Sequence, residues 1–249
     1  MHQPRSTVDF NKPSLISGLH CASIFGIDEI VAGLVNVEGY DVNKRDCLGN
    51  TSLMWAARGG HEGVVKILLG RNDINPDKSN VEGETPLCSA AMRGHEGVVK
   101  ILLGRNDVNP ERPDNKGRTP LCCAAVYGHE GVVETLLGRD DINPDKPDSF
   151  GKTPLCSAAI SGHEGVVKIL LGREGVDPEK PDNYGQTPLC CAAICGREGV
   201  AEILLGRDDV NPKKTDRDGK TPLDHARAYR HERIIALLHS RNATARNTD

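Results

Sequence analysis

The sequence predicts an all-α solenoid of about seven helix-turn-helix units of period 34, joined by β-hairpin finger loops. Two observations carry that expectation. Thr51, Thr85, Thr119, Thr153, Thr187 and Thr221 fall 34 residues apart without a slip, and self-similarity at such a period marks stacked copies of one unit. The 249 residues hold only 3% aromatics but 27 glycines. That is few large rings for a single round core, and ample glycine for ending short helices.

The elements of one unit follow in order. In the third unit Thr85 is a helix N-cap, its hydroxyl accepting from a first-turn N–H. Pro86 loses nothing at the next position, where that N–H has no intrahelical partner. Leu87, Ala90 and Ala91 share one side of a short helix that Gly94 stops. A second helix starts near His95, presents Val98, Val99, Ile101, Leu102 and Leu103, and ends at Gly104. Neither helix is long enough to persist alone in water, so stability comes from stacking neighbours. The unit closes on Asp107-Val108-Asn109-Pro110 and a loop to the next threonine.

The chain divides accordingly. Residues 1–14 are expected to be a flexible N-terminus, 15–240 a single repeat domain and 241–249 a flexible tail. Within the domain, 15–48 is an N-terminal cap opened by Ser17-Gly18-Leu19-His20, 49–218 holds five internal units, and 219–240 is a C-terminal cap. Asp224, Arg227, Arg230, Glu232, Arg233 and His239 give that last unit the polar outer face a terminal unit needs. A second period lies inside the first. Units three and five read Cys-Ser-Ala-Ala, and units four and six read Cys-Cys-Ala-Ala.

Thr-Pro-Leu, Ala-Ala, Gly-His, Val-Val, Leu-Leu and Asp-Val-Asn, in that order and spacing, resemble the ankyrin repeat over about nine-tenths of the chain. The wording is also similar to Pro-rich ankyrin arrays of fungal multidomain receptors. The departures are specific. The family's His after Thr-Pro-Leu survives only as His20, later units having Met54, Cys88, Cys122, Cys156, Cys190 and Asp224. The period exceeds the family's usual length by one residue. An extended, Pro-stiffened finger is therefore expected in units three to seven, and a finger of ordinary length at Asn43 to Gly49.

Composition narrows the function. A net charge of −4, with 31 basic and 35 acidic residues intermixed, argues against general attraction to nucleic acid or anionic membrane. No apolar run is long enough to span a membrane, and Met1 to Ser14 lacks the apolar core of a secretory signal. Nine cysteines without a disulfide framework point to free thiols in a reducing, cytoplasmic location. His61, His95, His129 and His163 recur once per unit, roughly 10 Å apart, too far to share a metal ion. Cys190, Cys191 and Cys195 lack CxxC spacing. No phosphate-binding loop is present. No enzymatic activity, cofactor or metal is expected. Asn50 and Asn242 match the glycosylation pattern by chance, and repeat asparagines such as Asn109 resemble those hydroxylated in some ankyrin proteins.

The resemblance implies a monomeric, non-catalytic scaffold that binds another protein on its concave face of fingers and first helices. Laid on this chain, the family's variable columns select Trp55, Arg58, Met92, Arg93, Lys116, Arg118, Tyr127, Phe150, Lys152, Tyr184 and Tyr229. Aromatic side chains there suit interface anchors. Arg58, Arg93, Lys116, Arg118, Lys152, Arg217 and Lys220 against Glu82, Glu84 and Asp218 leave that face near +4 in a chain of −4. A partner segment with acidic and apolar side chains is the expectation. The alternatives are the ligand-sensing arm of a larger receptor-type protein and a cysteine-based redox sensor.

Overall fold

Fourteen helices fill the structure, a computed structural model that describes residues 16–244. Numbered in chain order, the first helices of the units are α1 (Gly18–Phe25), α3 (Ser52–Gly59), α5 (Pro86–Arg93), α7 (Pro120–Tyr127), α9 (Pro154–Ser161), α11 (Pro188–Cys195) and α13 (Pro222–Ala228). The second helices are α2 (Asp28–Val35), α4 (Glu62–Leu69), α6 (Glu96–Leu103), α8 (Glu130–Leu137), α10 (Glu164–Leu171), α12 (Glu198–Leu205) and α14 (Glu232–Thr244).

Each first helix begins where the sequence puts it. Thr85 Oγ1 accepts from Cys88 N at 3.1 Å, and the same cap recurs at Thr51, Thr119, Thr153, Thr187 and Thr221. Gly94 ends α5 at φ +75°, a left-handed conformation that glycine adopts without steric cost. A Cβ there would also come within 2.6 Å of His129 Nδ1. Leu87, Ala90, Ala91, Val98, Val99 and Leu102 and their counterparts form one continuous buried core. The odd-numbered helices pack closer to one another than the even-numbered ones do. Alanines at the odd-row contacts permit that approach.

Polar bonds tie each unit to the one before it. His95, His129 and His163 reach the carbonyls of Arg58, Met92 and Val126 at 3.0 to 3.1 Å. Arg105 and Arg139 reach Leu69 and Leu103 at 2.8 and 3.0 Å. Arg197, which replaces a histidine, keeps the bond through Nε to Ile160 at 2.9 Å.

Three expectations change. The fingers are tight turns, with no strand among the described residues. Asp114 N bonds Arg118 O at 3.0 Å while Asp114 Oδ1 accepts from the Lys116 and Arg118 amides. Prolines in the arms of most fingers remove the donors a two-stranded ladder needs. The first finger is not shorter than the rest. Asp41, rather than Asn43, opens its turn, as Asn75 does one period later. Finally, α14 continues through Thr244 into the span expected to be a tail. There Arg241 bonds the Arg207 carbonyl at 3.0 Å, as the loop arginines do in earlier units. Residues 1–15 and 245–249, with the expected flexible N-terminus and most of the expected tail, lie outside the described residues.

Candidate functional site

The face of odd helices and fingertips gathers most of the side chains selected from the sequence, in three environments. The first is a depression of about 280 Å³ lined by Arg58, Met92, Arg93 and Tyr127, with Glu84 and Ser89. Arg58, Arg93 and Tyr127 are exposed and Met92 is half-buried. The depression joins two guanidinium groups, a flexible thioether and an aromatic ring. That combination accommodates an apolar side chain flanked by a carboxylate. Tyr127 stacks on His129 with ring centroids 6.4 Å apart, which fixes the ring with half its surface free.

The second environment is the row of fingertips. Asn115 N bonds Glu82 O, Ser149 N bonds Lys116 O, Asn183 N bonds Phe150 O and Arg217 N bonds Tyr184 O, at 2.9 to 3.0 Å. The fingertips are thus one hydrogen-bonded rail carrying Lys116, Phe150 and Tyr184 at successive steps. Phe150 and Tyr184 are 50% and 58% exposed. Lys152 lies over the Phe150 ring at 5.9 Å, a cation–π contact that orients both groups. At the far end Tyr229 stacks on His231 at 6.2 Å and stays exposed.

The third environment takes in two selected side chains and spends them on the scaffold. Arg118 clamps Asp114 Oδ2 with Nε at 2.7 Å and Nη2 at 2.6 Å. Burial works most strongly against its charge, but the Asp114 bond and the pull of neighbouring acidic groups together hold the guanidinium above its ordinary pKa. Trp55 donates Nε1–H to Asp46 Oδ2 at 2.9 Å and is half-buried beneath Arg58, which sits 5.5 Å from its ring. In the last unit His225 makes the equivalent bond, to Asp216 Oδ2 at 2.7 Å. Burial would raise the Asp216 pKa, but backbone bonds from Lys220 and Asp218 and the His225 bond hold it below the carboxylate range. These are struts between finger base and helix.

The sequence reading missed exposed apolar groups on this face, Phe25 and Leu48 among them. Phe25 is 72% exposed and stands three periods before Tyr127, so the repeat register alone could have found it. Leu48, 42% exposed, holds the fingertip step that Phe150 and Tyr184 take later. Among the described residues no three His, Cys, Asp or Glu side chains converge closely enough to hold a metal ion. No helix there is long and apolar enough to cross a membrane.

A family model described as ankyrin repeats (3 copies) matches residues 7–80, 71–148, 139–216 and 175–249. Among solved structures, the crystal structure of the human ASB11 ankyrin repeat domain is similar to this chain. It is 28% identical, covers 91% of this chain and 98% of its own, and aligns with a TM-score of 0.80. No curated protein sequence matches the chain.

Proposed function

The chain belongs to the ankyrin-repeat family, and on that premise we propose a non-catalytic, monomeric scaffold that holds a partner protein along its concave face. Repeats of this family generally serve as protein-interaction modules, and a solenoid of this shape offers an extended concave surface for that use. The partner segment carries acidic and apolar side chains. One observation supports this reading above the others. Arg58, Arg93, Met92 and Tyr127 meet in one depression, and Phe150 and Tyr184 continue the same face as exposed rings. Rings fixed by stacking lose little freedom on binding and make efficient anchors. The basic side chains raise encounter with an acidic partner and reject a basic one.

The test is capture from source lysate by the wild type beside a Tyr127→Ala/Phe150→Ala/Tyr184→Ala variant whose melting curve is unchanged. Trp55 and Arg118 are left intact, because removing either strands a buried carboxylate and destabilises the fold. A protein held only by the wild type supports the reading. Its binding should then weaken with added salt and with Arg58→Glu/Arg93→Glu. Equal capture by wild type and aromatic variant would move the site off this face. Salt-independent binding that survives charge reversal would remove the acidic partner.

A further inference from the structure

Beneath the concave surface, the odd helices carry a buried column of a different kind. The fourth residue of each unit faces the residue 35 positions later, on the next odd helix. Between units four and five that pair is Cys122 and Ser157, with Sγ and Oγ 3.5 Å apart. The same register sets Cys88 against Cys123 and Cys156 against Cys191. In both cases the two thiols lie close enough to shift each other's ionisation. Cys88 Sγ and Cys156 Sγ in turn donate to the Arg112 and Lys180 carbonyls, each at 3.6 Å. All four cysteines are buried. The other steps of the column, such as Met54 with Ser89 and Cys190 with His225, hold no second thiol.

We propose that Cys88–Cys123 and Cys156–Cys191 are two dithiol sites that close into disulfides between neighbouring units. Unit three is stapled to four and five to six, while units four and five stay unlinked at Cys122 and Ser157. The oxidant is a hydroperoxide. The Cys88 thiolate attacks one peroxide oxygen, an S–O bond forms, the O–O bond breaks and hydroxide or alkoxide leaves. The Cys123 sulfur then attacks the resulting sulfenic acid. The S–S bond forms, the S–O bond breaks, and the thiol proton leaves in a molecule of water. The peroxide is reduced by two electrons and the pair of sulfurs loses them.

The roles within each pair are unequal. The Cys123 thiol beside it draws Cys88 below the usual thiol range, and the same proximity, with burial, pushes Cys123 well up. Cys156 and Cys191 repeat the asymmetry. Cys122 has a hydroxyl for a neighbour and is pushed up to about 11 by burial, so it makes a poor nucleophile. Oxidant enters when one unit interface opens, a local event that a nearest-neighbour stack permits without global unfolding. Once the bond has formed, it constrains the opened and unfolded states and the interface closes more firmly.

The experiment exposes the full chain to hydrogen peroxide, blocks the remaining thiols, and maps linked peptides by mass spectrometry without reduction. Cys88–Cys123 and Cys156–Cys191 links are expected, each two hydrogens lighter. The melting midpoint should rise by roughly 5 °C or more and fall back with dithiothreitol. Cys123→Ser and Cys191→Ser install the Cys-Ser pair that units three and five already carry, so the fold tolerates them. Each should abolish one link and leave the other. Recovery of all four cysteines as thiols or sulfinic acids would overturn the proposal. So would links that run through Cys122 or join Cys21 to Cys47. Partner capture is measured separately, so failure here leaves the reading of the concave face standing.

Discussion

In the last unit His231 reaches back to the Ile194 carbonyl at 3.2 Å and Arg241 to the Arg207 carbonyl at 3.0 Å. At the same two positions the first unit carries Ile27 and Val37. The outer surfaces differ as sharply. Ile16, Ile30 and Val37 are 42% to 50% exposed at the first end, whereas Arg227, Arg230, Glu232 and Arg233 cover the last. The difference shows that stacking in this solenoid has a direction. The side chains at these two positions bond toward the N-terminus, as do the fingertip N–H groups. The first unit lacks both donors, with Ile27 and Val37 in their place, while every later unit keeps them. Apolar columns are shared by all units, and their value depends on whether a neighbour covers them.

The strongest way to break this comparison is to cut the same column at a covered and an uncovered place. Val132 is 1% exposed between units three and four, and Ile30, three periods earlier, is 50% exposed. Val132→Ala should cost about 2 kcal/mol, from lost transfer energy and an incompletely collapsed cavity. Ile30→Ala removes more atoms, yet it should cost under about 0.5 kcal/mol, because most of that surface already meets water. Urea unfolding monitored by circular dichroism measures both. Equal losses would mean that the first unit's outer face is covered and that direction has nothing to do with its composition.

A smaller effect tests the polar bonds themselves. His129→Ala removes the 3.0 Å bond to Met92 O and leaves that carbonyl without its side-chain partner. A cost of about 1 to 1.5 kcal/mol is expected. Ile27→His puts the same donor where the described residues hold no earlier unit to offer a carbonyl, so stability should stay within about 0.5 kcal/mol of wild type. A clear gain from Ile27→His would show that an acceptor lies beyond the first unit and would reverse the argument about direction.

What was legible in the sequence and what was not follow the same division between local and cross-unit physics. The caps at Thr85 and its counterparts, the stop at Gly94 and the buried Leu, Ala and Val columns depend on spacing within one unit, and spacing is written in the chain. The fates of Trp55 and Arg118 depend on where Asp46 and Asp114 point at the finger base, which no periodicity states. An exposed column in the family therefore became a pair of struts here. Asn43 misled for a related reason. It looks like the asparagine that closes the Asp-Val-Asn phrase, yet its amide bonds forward to Asp73 O and Asn75 N, while Asp41 opens the turn. Phe25 was legible and was overlooked. Arg241 extends α14 past the expected end because the stacking bond outlasts the recognisable motif.

The smallest effect concerns a finger-base position where the first unit is better satisfied than the second. Asn43 accepts from Asn75 N at 2.8 Å and donates to Asp73 O at 2.6 Å, using both ends of its amide. One period later Asp77 accepts from Asn109 N at 2.8 Å, but its Oδ1 is buried without a partner. By register that oxygen takes the place of the Asn43 amide nitrogen, which donates to Asp73 O, and a carboxylate has nothing to donate. Burial accordingly lifts the Asp77 pKa above the ordinary 3.8. A raised carboxylate costs stability where the folded state must hold it charged, at pH above its folded value. The cost disappears as pH falls through that value toward 3.8, because protonation supplies the missing donor. Asp77→Asn should therefore stabilise the chain by about 0.5 to 1 kcal/mol at neutral pH, and the gain should shrink in acid. Parallel denaturation of the two proteins across that range measures it. A gain independent of pH would place its origin elsewhere, and a loss would mean that the buried oxygen already has a partner such as ordered water.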